Sequence, residues 1–318
     1  MVKGFSEFDP ELRIAGVVFN RVGSSTHLQW LTDAVRSDTA VNVLGGIPND
    51  PEVSFPERHL GLVMPDEDRT SSWIERMADL IEESVDLDRL LEMSDVPLPR
   101  VGTAEAAARP PGRARIGVVR DEAFCFYYQD NLDLLRTFGA ETVEFSALRD
   151  QLPDDLDGLY IGGGYPELLA AELSANSSLI EDVRQFASTG HPIYGECGGL
   201  MYLSQGIEDA GGARHPLCGL FPFWTRLTSK PTFAYVEVQT VGESIFPRGD
   251  VARGHVFHYS ETVGAIPSSC SYLVKPTHRE RFQEGFRRAN VLASYVHLHF
   301  LSNPAFAESF VAASSASR

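Results

Sequence analysis

The stretch His191-Pro-Ile-Tyr-Gly-Glu-Cys-Gly-Gly-Leu-Met-Tyr-Leu203 constrains this chain more than any other. Ile193 and Tyr194 read as the end of a buried strand. Gly195 to Gly199 read as a tight turn, and Leu200, Met201 and Leu203 open an apolar helical pattern. Cys197 is therefore expected on a strand–turn–helix elbow, the geometry that lifts a nucleophile above the C-terminal edge of a parallel sheet. Glycines suit this place because a sharp elbow leaves no room for Cβ atoms and a substrate must approach the backbone closely. The following helix would aim backbone N–H groups and a partial positive charge at the sulfur. Both are expected to lower the thiol pKa from its free value of about 8.5. A buried structural cysteine is the ordinary alternative, and the elbow alone leaves the two readings level.

Composition sets the wider bounds. With 318 residues, 43% hydrophobic and 22% charged, the chain is globular and long enough for two domains. A net charge of −17 argues against nucleic acid or an anionic membrane surface as a partner. The sequence has no apolar run of the ~20 residues a membrane span needs. Met1-Val-Lys-Gly-Phe lacks the apolar stretch of a signal peptide. Cys125, Cys197, Cys218 and Cys270 show no CxxC spacing. A reduced, cytoplasmic protein without a disulfide framework or zinc site is expected.

In chain order, residues 12–20 are an apolar run expected to form a buried strand. Arg21-Val-Gly-Ser-Ser supplies polar capping residues, His27 to Val35 have helical spacing, and Val41 to Leu44 read as a strand ended by Gly45-Gly46. This is a βα unit of a parallel sheet. Residues 72–92 read as one long amphipathic helical region. Asp95 to Arg113, rich in Pro and Ala, reads as an interdomain linker. A second series follows: strands at 115–120, 141–145 and 158–162, helices at 131–138, 168–173 and 179–187, then the elbow. Residues 217–241 and 251–263 suggest antiparallel strands. Val291 to His297 reads as a final strand and Ala305 to Ala313 as a closing helix. The expected fold is α/β, with a doubly wound C-terminal sheet carrying a small β insertion.

A cysteine nucleophile needs a base and donors for the oxyanion it creates. His297 ends the last buried strand and is the best base candidate. His299, two residues on, points the same way along an extended chain and is expected to orient His297 as a third member. A strand-end histidine alone is more simply structural; two in phase, with an elbow cysteine, favour catalysis. Gly162-Gly-Gly-Tyr-Pro-Glu167 ends a strand with glycines. It is either a plain turn or a backbone whose Gly163 and Gly164 N–H groups join that of Gly198 at an oxyanion. Arg253-Gly-His-Val-Phe-His-Tyr-Ser-Glu261 is a third polar cluster. His255 and His258 lack spaced partners for a metal, and a substrate-contacting or interface loop is expected there.

GGGYPE, YGECGGLMYL, GHVFHYSE and ASYVHLHF, in that order, resemble the cobyrinate / hydrogenobyrinate a,c-diamide synthase family. Its relatives are the cobyric acid synthases and the a,c-diamide synthase of nickel-sirohydrochlorin. Residues 15–22 and 56–63 resemble the second half of the family's N-terminal amidoligase domain. The resemblance implies residues 1–94 as the C-terminal part of a dethiobiotin-synthetase-like, ATP-dependent domain, 95–113 as linker, and 114–318 as a class I glutaminase domain, flavodoxin-like and doubly wound. It implies glutamine hydrolysis through a Cys197 thioester with His297 as base, and His299 where many class I glutaminases carry a glutamate. It further implies ATP and Mg²⁺ as cofactors, phosphorylation of the a and c carboxylates of a corrinoid polycarboxylate, and displacement of phosphate by ammonia. Asn20 falls in a segment that the family places near the nucleotide base.

The family's phosphate-binding loop, GxxxxGK[ST], occurs nowhere in these 318 residues. The chain is therefore expected to be a fragment, to be completed by a partner chain or homodimer, or to carry an N-terminal part reduced to docking. A glutaminase subunit feeding ammonia to a separate ligase, or a non-catalytic binding protein, are the alternatives. With an acidic chain, a polycarboxylate must meet local basic residues, for which Arg253 or Arg226 are candidates.

Overall fold

Parallel strands joined by helical crossovers are covered on both faces, so they read as unbroken apolar runs. In the computed structural model, residues 1–9, 11–53, 70–95, 114–242, 244–267 and 270–316 are described. The chain divides into two compact units, Met1–Thr103 and Ala104–Arg318. Residues 56–63 and nearly all of the expected linker lie outside the described residues.

The first unit contains helix α1 (Val2–Phe8), strand β1 (Gly16–Val22), helix α2 (Ser25–Asp38), strand β2 (Asn42–Pro48) and helices α3 (Thr70–Ser84) and α4 (Leu87–Ser94). β1 and β2 pair in parallel. The Ser24 hydroxyl accepts the His27 N–H and starts α2. Three expectations shift. The strand expected to be buried over residues 12–20 is Gly16–Val22, and of its residues only Val22 is buried. β2 runs through Gly45 and Gly46 rather than ending there, because both stay paired with β1, and glycine is required at 46, where a Cβ would meet Leu28 and Val22 side chains at under 3 Å. The single helical region is two helices, because Val85 leaves the helix to bridge Gly45, and the Asp86 N–H donates to the Leu44 carbonyl. The Asp86 carboxylate then accepts the Arg89 N–H and starts α4.

The second unit runs β3 (Ala114–Val119), α5 (Gln129–Thr137), β4 (Ala140–Phe145), β5 (Gly158–Ile161), α6 (Ala170–Ala175), α7 (Ser177–Ser188), β6 (Ile193–Glu196) and α8 (Gly198–Leu203). It continues with β7 (Gly206–Glu208), β8 (Arg214–Pro216), β9 (Phe223–Thr240), β10 (Val251–Gly264), β11 (Cys270–Pro276), β12 (Phe282–Arg288), β13 (Val291–Ser294), β14 (Val296–His299) and α9 (Ala305–Ser315). Its core is the parallel array β13-β6-β5-β3-β4, in which every residue of β5, β6 and β13 is buried. The chain leaves β3 for β4 on one side and returns to β5 on the other. That reversal opens a crevice at the carboxyl ends of β3 and β5, the place where such sheets bind ligands.

The β-rich segment is the other half of the same 12-stranded sheet, in the order β14-β10-β9-β11-β12-β13. The sequence reading missed β11 and β12. It also read one final strand where there are two. Up to Ser294 that strand lies beside β6; past Tyr295 it leaves and pairs antiparallel with β10. The antiparallel strands thus return to the strand they started from and close a roll. Val236, Val238, Val256, Val274, Val296 and Leu298 fill it, continuous with Phe306 and Phe310 of α9. No helix among the described residues is long and apolar enough to cross a membrane.

Candidate active site

Cys197 stands between β6 and α8 with φ 50° and ψ −97°, a conformation that non-glycine residues avoid. Its N–H donates to the Ser294 carbonyl at 2.7 Å, anchoring the elbow to the end of β13. Gly199 beside it has no space for a side chain, since a Cβ would lie 2.1 Å from the Ile161 carbonyl oxygen of β5. Cys197 is 6% exposed, and its Sγ lies 3.6 Å from the Phe257 carbonyl of β10. The expected lowering of the thiol pKa is not found. Burial pushes it up and the Glu167 charge pushes further, while the Gly198 N–H opposes both and loses. α8 has only six residues, too short a dipole to outweigh desolvation.

His297 is on β14, opposite His255 of β10. The two imidazoles stack with centroids 4.6 Å apart and planes within 4°. His297 is buried, and its pKa is pushed down to about 3 by burial first, then by His255 and His258. It is a neutral proton acceptor at neutral pH. It also faces the glycine loop: a Cβ at Gly163 would lie 2.4 Å from His297 Cε1.

His299 stands elsewhere. Its Nε2 lies 3.3 Å from an Asp130 carboxylate oxygen, and its ring packs edge-on to Tyr128 at 4.6 Å. The ring stacked on His297 is His255, whose Nδ1 lies 2.8 Å from the Tyr128 hydroxyl. His255, and not the expected His299, is thus the histidine that lies against His297. GHVFHYSE is strand, not loop, because every residue of it lies in β10, paired with β9 and, at its start, with β14. His258 stacks on Tyr295 at 3.8 Å, and its Nδ1 lies 2.7 Å from the Ser260 carbonyl.

The glycine loop also sorts its donors. The Gly163 N–H donates to the Phe126 carbonyl and its own carbonyl accepts the Phe126 N–H, so it serves a bridge between the loops after β3 and β5 and not an oxyanion. The Gly164 N–H has no acceptor among the described residues. It lies 3.2 Å from where a Gly198 Cβ would stand. Gly198 is the first residue of α8, so its N–H has no helical partner either. The Gly164 N–H is free among the described residues, and the Gly198 N–H faces the Cys197 sulfur; these are the two donors beside the nucleophile.

Three further carboxylates stand in or beside the site. Glu196, 1% exposed, takes the Tyr160 and Tyr194 hydroxyls at 2.8 and 2.7 Å and the Leu298 N–H at 2.9 Å. Burial raises it to about 7 against those three donors. Glu284 of β12 accepts the Ser294 hydroxyl and, at 2.8 Å, the Tyr295 N–H; burial raises it to about 7 as well. Together they hold the chain on both sides of the break between β13 and β14. Glu167 follows the glycine loop and is raised to about 7 by burial. The signal available in the sequence for Glu196 was its place inside an apolar strand, next to the nucleophile.

The remaining candidates have surroundings of their own. Asn20 is exposed at β1, its side-chain oxygen accepting the Arg21 N–H. Arg226 is paired with Glu261 at 2.6 Å. Arg253 is exposed and lines an open groove with Tyr235, Glu237 and Lys275. No group of three or more His, Cys, Asp or Glu among the described residues is arranged to hold a metal. The described residues of the first unit include no glycine-lysine cradle for triphosphate. They do not fit ATP with Mg²⁺ by themselves.

Residues 115–305 match the model of the CobB/CobQ-like glutamine amidotransferase domain. The chain is similar to the cobyrinate a,c-diamide synthase of Syntrophotalea carbinolica, at 43% identity over 98% of this chain and 70% of that protein. It is similar to that of Dehalococcoides mccartyi at 39%, over the same shares. A solved glutamine amidotransferase chain aligns at 18% identity and a TM-score of 0.43, covering 63% of this chain and 98% of that one. The chain belongs to the cobyrinate a,c-diamide synthase family.

Proposed function

We propose that this chain carries out glutamine-dependent amidation of the a and c carboxylates of cobyrinic or hydrogenobyrinic acid in cobalamin biosynthesis, with Cys197 as the glutaminase nucleophile. The observation that carries the reading is the elbow: Cys197 at positive φ, beside the Gly164 and Gly198 amides, with buried neutral His297 against the same glycine loop.

The Cys197 sulfur attacks the side-chain amide carbon of glutamine. Its proton passes to His297, and Gly164 and Gly198 N–H groups take the oxyanion. His297 returns the proton to the departing nitrogen, ammonia leaves, and a glutamyl thioester remains. Water, deprotonated by His297, adds to the thioester; glutamate leaves and the thiol is restored. Because burial raises the thiol and lowers the imidazole, the resting pair is neutral, and proton transfer accompanies attack rather than preceding it. The amidation half requires the ATP- and Mg²⁺-dependent activation of carboxylates that the resemblance implies, at a phosphate-binding segment that these 318 residues do not contain.

The test supplies the purified chain with glutamine, ATP, Mg²⁺ and cobyrinic acid, following amides by mass spectrometry and glutamate in parallel. Mono- and diamides support the whole reading. Glutamate without amides leaves the glutaminase half and favours the chain as an ammonia-supplying unit. Neither product, also after a phosphate-loop segment from a relative is joined upstream, overturns it.

A further inference from the structure

Glu167 places a carboxylate where the proposed thioester chemistry least wants one. It follows Pro166 in a short 3-10 turn, Pro166–Leu169, directly after the glycine loop. That turn is packed on the nucleophile's own turn: a Gly198 Cβ would stand 3.1 Å from Pro166 Cδ and 3.2 Å from the Gly164 nitrogen. Tyr165 is pinned behind it, its N–H donating to the Ala123 carbonyl and its ring edge-on to Phe126 at 5.0 Å. The Glu167 backbone therefore follows directly on the residue that packs beside the Gly164 and Gly198 amides.

Among the described residues, no Lys, Arg or His pairs with the Glu167 carboxylate; its own N–H is the donor that faces it. Among charged groups it is the largest contributor holding the Cys197 thiol up, and it acts on Tyr295 across the site as well. An unpaired, half-buried carboxylate next to a nucleophilic thiol is costly to both groups. A ligand that brings one positive charge would relieve both at once. Glutamine carries one such charge, its α-ammonium.

Resting on the glutaminase reading, we propose that Glu167 is the subsite for the α-ammonium of glutamine, and that filling it frees the Cys197 thiol to react. The empty site then holds a sluggish thiol. With glutamine bound, Glu167 is paired, its repulsion of the developing thiolate falls, and attack follows on the molecule that triggered it. Adventitious electrophiles without an ammonium group meet the sluggish form.

The experiment follows iodoacetamide alkylation of Cys197 in the full chain at fixed pH, read by mass spectrometry of the Cys197 peptide. The protecting ligands are glutamine and glutaramate, which is glutamine without its α-amino group. Glutamine should protect wild type at roughly tenfold lower concentration or better, the worth of a charge-assisted hydrogen bond. In Glu167→Gln that preference should fall to about one, and the unliganded thiol should alkylate several-fold faster; Glu167→Asp should recover part of the preference. Equal protection of wild type by the two ligands overturns the proposal and needs no variant to fold. So does a folded Glu167→Gln that keeps the preference. No protection of wild type by either ligand overturns the glutaminase reading itself.

Discussion

The side chain of Glu196 accepts the backbone N–H of Leu298 at 2.9 Å, so the residue before Cys197 holds the residue after His297. Its two oxygens receive three donors, from Tyr160, Tyr194 and Leu298. An amide at this position offers one acceptor oxygen and forces at least one donor against an NH₂ group. Glu196→Gln should therefore lose about 1–3 kcal/mol of stability and lose glutamine hydrolysis beyond what stability explains. Urea unfolding and glutamate release measure the two; a variant matching wild type in both would remove Glu196 from the clamp.

Glu284 gives the pH dependence a sign. Its folded pKa is raised from 4.5 to about 7 by burial. A carboxyl raised in this way contributes stability that is complete below about 4.5 and is lost as pH rises through about 7. The stability deficit of Glu284→Gln relative to wild type should thus shrink between these pH values. Urea midpoints across the window test this, and a deficit that grows with pH would contradict it.

Cys197 pays for its place in backbone strain, with φ at 50°. Ala keeps the Cβ that makes this conformation costly and Gly does not. Cys197→Gly should be more stable than Cys197→Ala by about 1 kcal/mol, the reverse of their usual order. Both should lack glutamine hydrolysis, and in a chain completed by its ligase segment both should retain ammonia-supported amidation. Calorimetry of the pair decides the first point.

Gly163 has no room for a methyl group because His297 Cε1 would lie 2.4 Å away. Gly163→Ala should displace the imidazole and cut kcat for glutamine hydrolysis by about 10²-fold or more, with a smaller change in KM. An unchanged kcat in a folded variant would separate His297 from the reaction.

His297, held down at about 3 by burial and its neighbouring histidines, stays neutral through the range where free histidines titrate. The acid limb of kcat/KM for glutamine should therefore not belong to His297; an acid limb near 7 belongs to Glu167, raised there by burial, and should vanish in Glu167→Gln. An inflection there that vanishes in His255→Gln would assign it to His255 instead.

Local patterns were sufficient for much of this molecule. The elbow at Cys197, the strand before it and the helix after it are set within a dozen residues by apolar runs and glycines, so they could be read without any tertiary information. The same holds for the glycine turn after β5 and for α2 with its Ser24 cap. The break at Tyr295 could not be read, because an apolar run looks the same whether its halves pair with β6 or with β10.

Residue types and spacing thus determined that a cysteine would stand on an elbow with a histidine at a neighbouring strand end. Which groups serve that pair was decided only when distant strands met. Register across β10 and β14 put His255, and not His299, against His297. The bridge from Phe126 took the Gly163 amide and left that of Gly164 free. Burial reversed the expected effect on the thiol, because desolvation depends on what covers the sulfur, and its cover includes β10, some sixty residues away in sequence.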